Sequence, residues 1–91
     1  MYRIEFTRDA VRDVSAHRRS GARALLRKLE VLLDELATHP RTGTGRPEQL
    51  RHGLAGYWSR RLSAQHRSIY RIEEDHVLVV VVAATGHYSD R

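Results

Sequence analysis

The chain contains no cysteine. A disulfide framework and thiolate metal ligation are excluded with it, and the composition fits a reducing cytoplasm. The longest apolar run, Val77–Ala84, has eight residues. A membrane-spanning helix needs about 20, so no membrane segment is expected. Tyr2, Arg3, Ile4, Glu5 and Phe6 alternate apolar with polar where a secretory leader would be apolar throughout, so no leader is expected either. Acidic residues are scarce where basic ones gather. Between Arg41 and Arg71 there are seven arginines and one acid, Glu48, a local balance of +6 in a chain of net charge +5. The remainder is close to neutral. A charge excess confined to one third of the chain points to a polyanionic partner, most often nucleic acid, or else to a solvated basic face.

What is present reads as an ordinary globular chain: 41% hydrophobic and 30% charged residues over 91 positions. That length holds one domain, residues 1–91, with a modest core. Tyr2, Ile4 and Phe6 predict a first strand. Thr7 is placed to cap a helix that runs to about Arg19, with Val11 and Val14 on one side. Ser20 is the candidate cap of the next helix. There Leu25, Leu26, Leu29, Leu32, Leu33 and Leu36 recur at helical spacing, and Pro40 ends it. Residues 38–49 read as a loop punctuated by Pro40, Gly43, Gly45 and Pro47, with Pro47 able to open a short helical turn. Tyr57–Ser63 and Arg67–Ile72 predict a hairpin, and Val77–Ala84 a strand covered on both faces or central in a sheet. The order β-α-α-β-β-β predicts an α+β fold. Two helices would pack on one face of a small, mainly antiparallel sheet and leave the other face polar.

Several kinds of chemistry find no support. His17, His39, His52, His66, His76 and His87 form no i, i+3 or i, i+4 pair, so no metal site is expected. Gly43-Thr44-Gly45-Arg46-Pro47 is neither a Walker loop nor a dinucleotide fingerprint. A different constellation remains. Metal-free RNA cleavage needs a base for the 2′-OH, an acid for the departing 5′-oxygen, and fixed cations for the charge growing on phosphate. Glu48 is an isolated carboxylate among arginines, and His87 lies just past the last strand. Arg61 and Arg67 sit on successive strands of the hairpin. Alternation puts Tyr57, Ser59 and Arg61 on one face and Trp58 and Leu62 on the other. Arg60, between Trp58 and Leu62, is expected to snorkel outward. On the next strand Arg67, Ile69 and Arg71 share a face. Glu48 is equally suited to pairing with a nearby Arg, and His87 to being a solvated side chain.

Three blocks decide between these readings. Gly45-Arg46-Pro47-Glu48-Gln49-Leu50-Arg51, then Leu54-Ala55-Gly56-Tyr57-Trp58-Ser59-Arg60-Arg61-Leu62, then Gln65-His66-Arg67-Ser68-Ile69-Tyr70, with a closing His87-Tyr88, resemble the YoeB/Txe toxins of the RelE/ParE superfamily. The likeness runs from about Leu25 to Tyr88. It implies a bacterial type II toxin that enters the ribosomal A site and cuts mRNA, stopping translation. By the family's pattern Glu48 corresponds to the general base, His87 to the general acid and Arg67 to the phosphate-stabilising cation. Tyr88 corresponds to the residue that shapes the site. Arg61 and Arg51 correspond to supporting basic positions that hold the RNA, and Arg46 and Arg60 are further candidate contacts to RNA or ribosome. The resemblance further implies a RelE-like fold, no cofactor, a cognate acidic YefM-like antitoxin, and a homodimer. Thr85-Gly86 stands where the family often has an Arg and an aromatic, and Ser89-Asp90-Arg91 extends past the usual end. Non-enzymatic alternatives are a ParE-like topoisomerase inhibitor and a nucleic-acid-binding module.

Overall fold

The computed structural model describes residues 1–51, 53 and 55–83. The elements run β1 (Arg3–Phe6), α1 (Arg8–Arg19), α2 (Arg23–Thr38), β2 (Glu48–Gln49), β3 (Tyr57–Arg61), β4 (Arg67–Ile72) and β5 (His76–Ala83). They form a five-stranded sheet in the order β1-β5-β4-β3-β2. Only β1 and β5 are parallel; the other neighbours are antiparallel. Both helices lie on one face, where Leu25, Leu29, Leu32 and Leu36 of α2 meet Leu62, Tyr70, Val77, Val79 and Val82. Each fully buried leucine contributes roughly 1.5–3 kcal/mol. The α+β architecture expected from the sequence is the one found, with one strand more. No described helix is long and apolar enough to cross a membrane.

Two local expectations give way. Ser20 does not start α2. It closes α1, its backbone N–H bonding the Ala16 carbonyl, and Ala22 occupies the start of α2 without a side-chain cap. Ser20 is drawn back because its hydroxyl donates to the His17 carbonyl at 3.0 Å. Pro47 opens no helical turn. The chain after it extends into β2, which pairs Glu48 with Ser59 and Gln49 with Trp58. An edge strand leaves this proline's missing donor without consequence.

Thr7 does cap α1, accepting from the Ala10 N–H at 3.1 Å, and its hydroxyl also donates to the Val80 carbonyl at 2.8 Å. Beyond β1, side chains of α1 continue the ladder along β5. Asp13 accepts from the Val82 N–H at 2.9 Å, and His17 Nε2 bonds the Val82 carbonyl at 2.8 Å. Because a carbonyl only accepts, that nitrogen carries the proton. The helix thereby satisfies a stretch of the β5 edge that, among the described residues, β1 is too short to reach. A register shift in the β4–β5 pairing falls between Ile69 and Tyr70.

Arg60 departs most from expectation. It does not snorkel outward; the residue is 0% exposed. Its Nε donates to the Tyr70 hydroxyl at 3.1 Å. Nη1 donates to Glu35 at 2.8 Å and to the Thr44 carbonyl at 3.4 Å. Nη2 donates to the carbonyls of His39 and Thr42 at 2.6 and 2.7 Å. All three guanidinium nitrogens are therefore engaged, and the charge is met by Glu35. Glu35 in turn accepts from the Thr44 N–H and hydroxyl. Tyr70 donates to the Pro40 carbonyl at 2.9 Å, and burial pushes its own pKa up despite Arg60. The loop after α2 is thus folded around a buried cation. Gly45 then approaches β3, its carbonyl accepting from the Arg61 N–H at 2.7 Å. It has φ +83°, and a Cβ there would sit 2.6 Å from the Arg61 carbonyl oxygen.

Three consequences follow for stability. Arg60→Met orphans Glu35 and the carbonyls of His39, Thr42 and Thr44, and should cost about 3–5 kcal/mol in urea unfolding followed by Trp58 fluorescence. Burial acts to raise the Glu35 pKa, but Thr44 and Arg60 together hold it below its ordinary 4.5. A carboxyl depressed by folding stabilises above its unfolded pKa, and that stability is lost as pH falls through the folded value. The urea midpoint should therefore drop below pH 4.5, and Glu35→Gln should flatten that drop. Gly45→Ala forces a side chain into a left-handed backbone against Arg61. It should cost about 1–3 kcal/mol and speed hydrogen exchange at the Arg61 amide.

Candidate functional site

The sheet face opposite the helices carries a second, smaller apolar cluster. Leu50 and Ile69 are buried there, with Tyr57 and Val80 packed against them. Around this cluster stand the polar side chains that alternation sends the same way. Cross-strand pairing sets Glu48 of β2 opposite Ser59 of β3, and Arg61 opposite Arg67 of β4. Ser59 is buried and Arg67 half-buried, while Glu48 and Arg61 are exposed.

Glu48 and Arg67 are 19 positions apart in sequence and meet directly. Arg67 Nη1 donates to Glu48 Oε1 at 3.1 Å and to the Ser59 hydroxyl at 3.3 Å. The Glu48 side chain keeps 60% of its exposure and Arg67 23%. A pair this open to water contributes about 0–1 kcal/mol, so stability alone is a weak reason to hold it there. Among the described residues only Nη1 of Arg67 is engaged. The rest of its forked donor set is suited to an anion's oxygens. A carboxylate able to take a proton thus lies beside a fixed cation, on a face that the helices leave uncovered.

The other expected positions divide. Arg46 is exposed in the loop that leads into β2, with φ +52°, and follows the Gly45 carbonyl that holds the Arg61 amide. Arg51 is exposed just beyond Leu50, whose N–H donates to the Tyr57 carbonyl at 2.9 Å. Arg46, Arg51 and Arg61 therefore lie close in the chain to the Glu48–Arg67 pair. Arg60 does not belong with them. Its guanidinium is sealed on the helix side of the sheet, so the expectation that it contacts RNA or ribosome is corrected. Strand alternation put Arg60 on the face of Trp58 and Leu62. Only the acceptors that Glu35 and the following loop bring to it decide that its head stays inside. His87, Tyr88, Thr85-Gly86 and Ser89-Asp90-Arg91 lie outside the described residues.

Sequence reasoning passed over Ser59, whose hydroxyl steadies Arg67, although alternation had already placed it on the Arg61 face. It also passed over the Leu50–Ile69 floor. Leu50 carries no periodic signal of its own and joins Ile69 only through the β2–β3 connection. Among the described residues no three His, Asp or Glu side chains converge as metal ligands would.

A family model for YoeB-like toxins of bacterial type II toxin–antitoxin systems matches residues 6–88. The likeness therefore reaches into β1 and α1, beyond the blocks that carried it in the sequence. The toxin YoeB of Streptomyces coelicolor is 36% identical over 86 residues, 94% of this chain and 99% of that protein. A YoeB/ParE toxin from Agrobacterium tumefaciens superposes with a TM-score of 0.82 at 31% identity, covering 90% of this chain and 96% of that one. The Staphylococcus aureus YoeB, in complex with YefM, superposes with a TM-score of 0.81 at 26% identity, covering 91% and 95%. A YoeB dimer from S. aureus superposes with a TM-score of 0.80 at 26% identity, covering 90% and 94%. With the family model matched over residues 6–88 and a relative above 30% identity covered nearly end to end, the chain belongs to the YoeB-like toxins of bacterial type II toxin–antitoxin systems.

Proposed function

We propose that this toxin is a metal-independent, ribosome-dependent mRNA endonuclease that cuts in the A site and stops translation in the cytoplasm. One observation carries the reading: the Glu48 carboxylate lies 3.1 Å from the Arg67 guanidinium on the open face of the sheet. Glu48 removes the proton from the 2′-OH of the bound nucleotide. The 2′-oxygen attacks the adjacent phosphorus and the bond to the 5′-oxygen breaks. The products are a 2′,3′-cyclic phosphate and a 5′-OH. Arg67 stabilises the charge that grows on the phosphoryl oxygens, as a donor already positioned where that charge develops. His87 gives the leaving oxygen its proton, for which it must be protonated; bound phosphate favours that form. Tyr88 shapes the site. Arg46, Arg51 and Arg61 hold RNA and ribosome through phosphate contacts, which give affinity without sequence preference. The whole chain acts as one toxin domain.

The partners follow from charge and kinship. The arginine-rich third of the chain suits an acidic, flexible, YefM-like antitoxin segment. The solved YoeB–YefM complex and YoeB dimer of the S. aureus relative support an antitoxin partner and a homodimer here.

The test uses purified toxin, a defined mRNA and ribosomes paused on it, with 5′ ends mapped in the presence and absence of ribosomes. Wild type should cut in the A-site codon only when ribosomes are present. Glu48→Ala, Arg67→Ala and His87→Ala should each lower turnover by ~10²–10⁴-fold while unfolding as the wild type does. A Glu48→Ala protein that cuts at the wild-type rate would remove the base assignment. Absence of any cut in all lanes would favour topoisomerase inhibition or simple nucleic-acid binding.

A further inference from the structure

Ser59 is a buried polar residue on the open face, 1% exposed. It sits in the middle of β3, directly opposite Glu48 of β2 on one side and Ile69 of β4 on the other. An alanine would pack beside Ile69 as well, and a buried hydroxyl costs stability unless it is hydrogen-bonded. Packing therefore gives no reason for a hydroxyl here. Its one bond among the described residues does. The Ser59 oxygen accepts from Arg67 Nη1 at 3.3 Å, and the same nitrogen donates to Glu48 Oε1 at 3.1 Å.

One nitrogen is thus shared between a buried hydroxyl and an exposed carboxylate. Left to themselves, a guanidinium and a carboxylate frequently form two parallel bonds, one to each oxygen. This pair uses one carboxylate oxygen only, and Oε2 of Glu48 is bonded to none of the described residues. Glu48, at 60% side-chain exposure, is a weak anchor for Arg67, because a pair this open to water is held loosely. Ser59 is the firm one. Strand pairing on both sides fixes its direction, and it draws Nη1 toward β3 and away from a symmetrical approach to the carboxylate.

We propose that Ser59 is a positioning residue for cleavage: its hydroxyl holds Arg67 in single-point contact with Glu48, so that base and cation are available at the same time. This rests on the endonuclease reading of the Glu48–Arg67 pair. Glu48 keeps one oxygen for the 2′-OH proton, and Arg67 keeps its remaining donors for the phosphoryl oxygens. Without the hydroxyl, Nη1 has only Glu48 to bond. The guanidinium then closes onto the carboxylate as a fork, and each group occupies the other.

The experiment uses the whole toxin in the ribosome assay. Ser59→Ala should lower kcat about 10- to 100-fold and leave KM within about 2-fold, because a misplaced donor is missed in the transition state more than in binding. Ser59→Thr keeps the hydroxyl on a strand that suits β-branched residues, and should stay within about 3-fold of wild type. In an Arg67→Ala background, Ser59→Ala should change kcat by less than about 2-fold, having no guanidinium left to place. A second readout needs no catalysis. In nitrogen–proton correlation spectra of the toxin alone, the Arg67 side-chain signal, identified by its absence from Arg67→Ala, should move in Ser59→Ala and stay in Ser59→Thr. Thermal melts show that the variants fold. A Ser59 that only packs would shift the melt, leave the Arg67 signal in place, and cost as much with Arg67 absent as with it present.

The two readings can fail separately. A wild type that cuts, alongside a Ser59→Ala protein with the same kcat, keeps the endonuclease and overturns the positioning role. An unmoved Arg67 signal in Ser59→Ala overturns it as well. A wild type that cuts no ribosome-bound mRNA removes the endonuclease, and with it any catalytic role for Ser59.

Discussion

A guanidinium enclosed in so small a core must have its donors answered, because each unanswered one carries a desolvation cost with nothing to offset it. Arg60 meets that demand with Glu35 from one side, Tyr70 from another, and three consecutive stretches of backbone at His39, Thr42 and Thr44. The acceptors come from α2, β4 and the loop between α2 and β2, so satisfying one side chain ties these parts together. The loop has little apolar material of its own to bury. It is ordered because the cation beneath it needs its carbonyls. A hydrophobic residue in place of Arg60 would fill the volume, yet it would give the loop no reason to adopt one path.

The consequences reach the opposite face. The loop path delivers Gly45 to the Arg61 amide, and the chain then runs antiparallel to β3 as β2. That register sets Glu48 against Ser59 and within reach of Arg67. A slip of one residue would turn Glu48 to the helix side. The positions of the carboxylate and its cation are therefore set by a buried ion pair on the far side of the sheet. The site is built on strands, whose side-chain directions are fixed by pairing, and not on the loop itself. At the other edge, Thr7, Asp13 and His17 lend side-chain bonds to β5 where β1 has ended. The sheet is thus finished at one edge by β1 continued by side chains of α1, and at the other by a two-residue strand.

Much of this was readable from residue order. The leucine spacing of α2, the Thr7 cap, the alternation of Tyr57-Ser59-Arg61 and the apolar run of β5 each encode a local preference strong enough to survive folding. Glu48 and Arg67 were legible as chemistry because an acid surrounded by arginines is unusual. Ser20 misled because its hydroxyl competes locally for the carbonyl of His17, and a capping residue type does not say which helix end it serves. Pro47 misled because its fixed φ suits a helix start and an edge strand equally.

The sequence by itself determined the identities of both helices and of every strand except β2, the face to which the residues of β3 and β4 point, and the residue types available for proton transfer and phosphate binding. These follow from spacing and side-chain chemistry, which act over a few residues. Only the tertiary structure decided that Glu48 lies on a strand beside Arg67 and that Ser59 joins them. It alone decided that Arg60 turns inward while Arg61 turns out. Those outcomes depend on contacts between positions 8 to 25 residues apart. Whether a long cationic side chain snorkels or is buried depends on which acceptors the rest of the chain brings to it.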